Sequence, residues 1–261
     1  MRVKWYGTAS LLLENGGTRL LFDPFLTLND KGYKPPLEEL APIMDIFLTH
    51  GHLDHISNIP EIWKYGGEKA NIYCTKTPRK VLLSKGLNSE HIREIQPGDM
   101  LTVGTFEIHV LKGKHVKFDK RLILKTFLQP RVFTYWKNLR YLLKENKVYI
   151  EAGETVIFDI RASGKQILLL GSMNLNADTE YPRGADLLIL PFQGRSDIAA
   201  YALPFIDRLE PKKVLLDHFD DAFPPISSAV ETAPFLSLMR AKHPDIPVLC
   251  LQAGAGWVVL D

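Results

Sequence analysis

The sequence contains few cysteines and no long apolar run. Cys74 and Cys250 are the only cysteines among 261 residues, and they form no Cys-x-x-Cys pair. This excludes zinc ribbons and disulfide-rich scaffolds and is typical of a reducing compartment. No stretch approaches the roughly 18–20 uninterrupted apolar residues that a membrane-spanning helix needs, and residues 1–17 do not resemble a signal peptide. We therefore expect a soluble, cytoplasmic protein.

An excess of charge of one sign is lacking too. The 32 Lys and Arg residues nearly balance 30 Asp and Glu residues, which leaves a formal net charge of +2. This argues against a protein that binds nucleic acid through charge alone, and we expect no nucleic-acid partner. The length suits either two ordinary domains or one large α/β domain. Because no low-complexity linker interrupts the chain, we predict a single domain over residues 1–261.

Short strand-like runs alternate with amphipathic segments along the chain. Asn15-Gly16-Gly17 separates two such runs and is typical of a hairpin turn. Further strands are predicted at 45–49 and, as three runs, between 147 and 170. Helices are predicted at 196–210 and 228–243. Two strand-rich halves, each with helices, indicate an α/β fold in which two sheets pack face to face with helices outside.

Residues 119–146 differ from the rest of the chain in composition. They are rich in Lys, Arg and aromatic residues, and we interpret them as a helical insertion broken at Pro130. One interpretation is a surface helix whose long basic side chains are solvated. The other is a lid beside an active site, which would favour anionic or amphiphilic substrates.

The motif His50-Gly51-His52-Leu53-Asp54-His55 follows the apolar run 46–48 directly. In an extended loop, residues two apart project to the same side, so His50 and His52 would point at one position. Asp54 and His55 would serve a neighbouring position. Imidazole with carboxylate suits zinc, and also iron or manganese, and two metals about 3.5–4 Å apart share a water or hydroxide.

The alternative is a chance cluster of histidines, or a helix N-terminus that Asp54 caps. Three imidazoles at a strand end would repel one another when charged, so the metal site is the stronger hypothesis.

This motif resembles the signature of the metallo-β-lactamase superfamily. The openings WYGTASLLLE and LLFDPFL are similar to its ascorbate-6-phosphate lactonase-like branch and to uncharacterised metal-dependent hydrolases of that branch. The resemblance implies a four-layer αββα sandwich. It implies that His115 completes a first metal site and His218 a second, and that Asp23 supports the ligands. An ordinary loop histidine remains the alternative for His115 and His218.

The sequence departs from that family at Ser172. The family usually places a metal-bridging aspartate there, and a neutral hydroxyl is a weaker ligand. The second site is then weakened without being lost, and Asp178 is a conceivable substitute. The full set of expected metal ligands is His50, His52, Asp54, His55, His115 and His218.

The resemblance implies a metal-dependent hydrolase. One or two divalent ions, zinc first and manganese or iron as alternatives, would generate hydroxide from water at neutral pH, while Asp54 holds and orients it. The expected substrate carries a lactone or phosphodiester-type bond in an anionic small molecule or lipid, which is compatible with contact at a membrane surface. The alternative, which Ser172 favours, is a catalytically weak member that binds a metal or ligand as a sensor or partner protein.

Overall fold

The computed structural model of the protein describes residues 1–119, 122, 126 and 128–261. Its strands are β1 (Arg2–Gly7), β2 (Ser10–Asn15), β3 (Thr18–Phe22), β4 (Asp45–Phe47), β5 (Asn71–Cys74), β6 (Ile92–Glu94), β7 (Met100–Val103), β8 (Phe106–Lys112), β9 (Val156–Ala162), β10 (Lys165–Leu170), β11 (Leu187–Pro191), β12 (Val214–Asp217), β13 (Val248–Leu249) and β14 (Val258–Val259). Its helices are α1 (Leu37–Leu40), α2 (Leu53–Ile56), α3 (Ile59–Tyr65), α4 (Lys76–Ser84), α5 (Arg131–Thr134), α6 (Trp136–Glu145), α7 (Ile198–Leu209) and α8 (Ala233–Lys242), with a 3₁₀ turn at Ser89–His91.

The described strands form two seven-stranded sheets. The first has the order β14-β1-β2-β3-β4-β5-β6 and the second the order β13-β12-β11-β10-β9-β8-β7. In the first sheet β3 to β6 run parallel, and in the second β10 to β13 run parallel. Parallel strands end at the same edge of a sheet, so the residues that follow them are brought together.

The alternation of apolar residues explains the layers. In β2, Leu11 and Leu13 face the core between the two sheets, whereas Leu12 faces the core beneath the helices of the first sheet. In β10, Ile167 joins the central core and Leu168 the core beneath α7 and α8. Both faces of these strands are buried because side chains two apart share a face. The predicted four-layer αββα sandwich is confirmed.

One predicted strand is wrong, and one predicted helix begins later than expected. Residues 147–152 form a loop rather than a strand, with Val148 and Ile150 exposed. The predicted helix at 228–243 begins only at Ala233. Pro234 lies in its first turn, where the missing N–H of proline costs no helical hydrogen bond, and the helix starts there. The Asn15-Gly16-Gly17 hairpin is confirmed, with both glycines at positive φ.

Within the expected insertion 119–146, the described helical residues are 122, 126, 131–134 and 136–145. Pro130 is the N-cap of α5, and α6 follows after Tyr135. Residues 120, 121, 123–125 and 127 lie outside the described part, and the helical prediction for them is untested there. Within the described residues, no helix is long and apolar enough to cross a membrane.

Candidate metal centre

The motif and the later histidines meet at one edge of the sandwich. His50 and His52 follow β4 in the first sheet, whereas His115 follows β8 and His218 follows β12 in the second. The site therefore lies where strand ends of both sheets face each other.

The motif itself is extended only at its beginning. His52 is extended (φ −69°, ψ 155°) and is the N-cap of α2. Asp54 and His55 lie within that one-turn helix, not in the extended loop that we expected. From this helix, Asp54 and His55 lie close to His218, which follows β12 in the second sheet.

The first cluster consists of His50, His52 and His115. One nitrogen of each ring lies within 4.8 Å of the others. His50 Nε2 is 3.2 Å from His52 Nδ1, and the ring centroids of His52 and His115 are 4.6 Å apart. The second nitrogen of His115, Nδ1, lies 2.9 Å from the carbonyl oxygen of Val116. That contact fixes the orientation of the His115 ring.

The second cluster consists of Asp54, His55 and His218, whose ligand atoms again lie within 4.8 Å of one another. Asp54 Oδ2 is 2.9 Å from His218 Nε2 and 3.7 Å from His55 Nε2. His218 adopts a left-handed backbone conformation with φ 58°. Its N–H donates to the carbonyl oxygen of Thr8 at 2.8 Å, which fixes this unusual turn.

Asp23 and Thr49 support both clusters from behind. Buried Asp23 accepts hydrogen bonds from the backbone N–H (2.8 Å) and the hydroxyl (2.6 Å) of Thr49. Asp23 Oδ2 also lies 2.9 Å from His55 Nδ1, which directs His55 Nε2 toward Asp54. The Thr49 hydroxyl is 3.0 Å from His50 Nδ1. The family resemblance predicted Asp23 here. Thr49 was not predicted, and its signal in the sequence is its position between a buried strand and the first histidine.

Electrostatics prepare the first cluster for a cation. Burial, followed by the neighbouring imidazoles, holds the pKa of His50 well below its usual range. Burial lowers the pKa of His52 to about 4 and also lowers the pKa of His115. These rings are therefore neutral at pH 7, with lone pairs available to a metal.

The second cluster holds a charged pair. Burial would lower the pKa of His218, but the hydrogen bond to Asp54 and that carboxylate's charge outweigh burial and raise the pKa to about 9. Burial would conversely raise the pKa of Asp54, yet His55 and His218 hold it well below its usual range. A divalent cation at these atoms would displace the proton of His218 and keep the carboxylate ionised. The donor atoms of both clusters fit divalent metals that accept nitrogen and oxygen ligands.

Ser172 contacts the loop that carries His115. Its buried hydroxyl accepts a hydrogen bond from the N–H of Val116 at 3.0 Å. Asp178, the conceivable substitute for a bridging aspartate, is exposed, and it is not among the described residues that line the cavity above the clusters. The prediction that Asp178 could take the place of the bridging aspartate is therefore wrong.

A cavity of about 600 Å³ opens above the two clusters. Much of its wall is apolar, formed by Phe118, Met173, Phe223, Ile226 and Val230 among others. The charged side chains on the wall include Glu151 and Arg195. Arg195 is already held by Asp197, with Nε 2.6 Å from Oδ1. Glu151 was not predicted as a site residue, because the segment that carries it was predicted to be a strand.

Fold and site together define a class of protein: an αββα sandwich whose strand ends bring two adjacent sets of metal-ligating side chains together. The family model described as "Beta-lactamase superfamily domain" matches residues 18–219. The chain belongs to this superfamily, as the resemblance predicted.

Curated relatives agree with the assignment, and a solved structure shares the fold. A UPF0173 metal-dependent hydrolase from Ligilactobacillus salivarius is 28% identical over 235 residues, covering 88% of this chain and 90% of that protein. Another from Methanopyrus kandleri is 33% identical over 116 residues, but that match spans only 44% of this chain and 47% of the relative. Igni18, a metallo hydrolase from Ignicoccus hospitalis, superposes with a TM-score of 0.69 at 18% identity, covering 100% of this chain and 99% of that one. At this identity the likeness shows the fold alone.

Proposed function

We propose that the protein cleaves a lactone or phosphodiester-type bond in an anionic or amphiphilic small molecule or lipid. The broader class is a metal-dependent hydrolase of the β-lactamase superfamily, which rests on the family match, the named relatives and the two ligand clusters. The proposal includes a cytoplasmic location, which the unpaired state of Cys74 and Cys250 supports.

The convergence of two ligand clusters carries this proposal. His50, His52 and His115 would hold one cation, and Asp54, His55 and His218 a second. The cations would lower the pKa of water and polarise the oxygen of the scissile bond. Zinc is the first candidate because imidazoles dominate the donor set, with manganese and iron as the alternatives.

The chain's own groups would position the reactants. Asp54 lies 2.9 Å from His218 and would hold and orient a water through a hydrogen bond, since its depressed pKa keeps it ionised at neutral pH. Asp23 and Thr49 hold His55 and His50 in place. The apolar wall would bind the non-reacting part of the substrate and exclude water from it.

The wall composition supports an amphiphilic substrate. Arg195 is neutralised by Asp197, so attraction for an anionic group would come mainly from the cations of the two clusters. The apolar side chains above them suit an acyl or aryl group. A lipid or an acylated small molecule therefore complements the cavity wall better than a small, wholly polar anion does.

Metal analysis combined with a substrate panel tests the proposal. We expect the purified protein, reconstituted with zinc, manganese or iron in turn, to bind up to two equivalents and to hydrolyse activated lactones or phosphodiesters. His52→Ala should lose metal at the first cluster and reduce turnover by about 10²-fold or more, because a ligand is removed from the reacting centre. His109→Ala, in β8 and outside both clusters, is the matched control and should retain both properties. A turnover of His52→Ala equal to that of the wild type would contradict the proposal.

A second candidate function has one observation in its favour. Ser172 stands where the superfamily usually has an aspartate, and its hydroxyl is engaged with Val116. A member with a weakened second site would bind a metal or ligand without efficient turnover. Protein that binds one equivalent of metal and is inert toward ester, lactone and phosphodiester panels would favour this candidate.

A further inference from the structure

The helix α6 presents apolar and basic side chains on one exposed side, and Phe133 in α5 is exposed as well. Phe133 is 84% exposed, Trp136 is 51% and Leu143 is 50%. From Trp136 onward the exposed residues recur at spacings of three and four, which places them on one side of a helix. We call this set the α6 outer face: Trp136, Lys137, Arg140, Leu143, Lys144 and Lys147.

The opposite side of α6 packs against the protein. Leu142 is buried in the core beneath the first sheet. Asn138 Nδ2 donates to the carbonyl oxygen of Leu28 at 3.1 Å, and Glu145 lies 3.6 Å from Lys85. The helix is therefore held in one orientation, and the outer face remains exposed.

The outer face has a strong positive charge. Its four cations are exposed, and within the described residues none of them has an ion pair. The one acid in α6, Glu145, is directed to Lys85 instead. Arg140 lies over the Trp136 ring at 4.7 Å, so a cation and an aromatic ring form one contact unit. Arg140, Leu143, Lys144 and Lys147 also border a shallow recess.

We propose that the α6 outer face docks on an anionic lipid surface. Aromatic and aliphatic side chains interleaved with lysine and arginine suit the boundary between headgroups and acyl chains. Each cation near an anionic membrane contributes about fivefold in affinity. A second copy of the chain fits this face poorly, because an isologous contact would bring four cations against another four.

The docking face continues into the cavity above the clusters. The chain leaves α6 through Asn146, Tyr149 and Ile150, which all line that cavity, and Ile150 is 48% exposed. A lipid that leaves the bilayer at this point would meet apolar walls before it reaches the ligand clusters. The entry of a lipid into the cavity rests on the proposed function and favours a lipid as its substrate. The docking itself does not depend on turnover.

Vesicle co-sedimentation tests the docking with the full chain. We expect binding to vesicles of phosphatidylcholine with 30% phosphatidylglycerol to be roughly 10²-fold or more above binding to pure phosphatidylcholine, and to weaken in high salt. Arg140→Gln/Lys144→Gln should weaken binding about 25-fold, from about fivefold per cation. Trp136→Ser/Leu143→Ser should weaken it on the order of tenfold.

Matched controls replace exposed residues elsewhere. Arg240→Gln/Lys242→Gln removes two exposed cations from α8, and Met44→Ser/Met100→Ser removes two exposed apolar side chains. Both should bind vesicles like the wild type, and thermal melts should show all four variants folded. Wild-type protein that stays in the supernatant with anionic vesicles overturns the docking, as do α6 variants that sediment like the controls. So does a wild-type dimer in solution that the α6 variants abolish.

The docking and the hydrolase proposal fail separately. His52→Ala should bind vesicles like the wild type while losing turnover. If the protein hydrolyses soluble substrates but does not bind anionic vesicles, the proposed function stands and the docking proposal is overturned.

Discussion

Gly51 separates the first two histidines of the metal centre, and its lack of a side chain is required by the loop at 147–152. A Cβ at residue 51 would lie 2.3 Å from the carbonyl oxygen of Ile150. Backbone cannot retreat as a flexible side chain can, so the loop would have to move. That loop continues to Glu151 in the cavity wall, and the glycine thus positions both the histidines and one side of the cavity.

Gly51→Ala should therefore destabilise the protein by about 3 kcal/mol and lower its metal content. Gly256→Ala is the control, because Gly256 is exposed and a Cβ there meets nothing within 4 Å. The control should change the free energy of unfolding by less than about 0.5 kcal/mol. Urea denaturation of both variants measures the difference, and equal effects would show that the close approach to Ile150 does not matter.

At the scale of elements, α6 is joined to the body by few contacts. Leu142 is its one buried residue, 2% exposed, whereas the adjacent Leu143 is half exposed. Two neighbouring leucines thus have opposite roles: one attaches the helix, and the other belongs to the α6 outer face.

Leu142→Ala should cost about 2–4 kcal/mol of unfolding free energy, because it leaves a cavity beneath the helix. Leu143→Ala should cost less than about 0.5 kcal/mol while weakening vesicle binding. Urea denaturation and co-sedimentation on the same two variants separate the roles. Equal destabilisation by both would mean that α6 packs differently from this structure.

At the scale of the whole molecule, folding raises the pKa of several tyrosine side chains. Burial raises the pKa of Tyr73 to about 12, with the carboxylate of Asp45 adding to the effect. In the unfolded chain a tyrosine ionises near pH 10. The tyrosines with raised pKa values are Tyr6, Tyr65, Tyr73, Tyr141, Tyr149 and Tyr201.

Stability should consequently fall as the pH rises above about 10. There the unfolded state has released phenolic protons that the folded state retains, so the free energy of unfolding decreases with pH. Urea titrations between pH 8 and 11 measure this decrease, and Tyr73→Phe should reduce it. Phenolate absorbance that rises at the same pH in native and urea-unfolded protein would contradict the prediction.

Local sequence patterns predicted those parts of the molecule that depend on neighbouring residues. Alternating apolar residues predicted the buried strands, and two glycines predicted the hairpin. The pairing of Asp54 with His218 joins residues 164 positions apart, and here only the family resemblance brought His218 to the site. The loop at 147–152 was predicted wrongly because its apolar residues resemble a strand, while its actual partner, the backbone at Gly51, leaves no trace in its own sequence.

Each ligand cluster draws donors from both sheets: His50 and His52 with His115, and Asp54 and His55 with His218. A bound ion would accordingly cross-link the two sheets at the edge where their strand ends meet. Neither sheet alone has a complete set of donors, so tight ion binding requires that the two sheets are packed together.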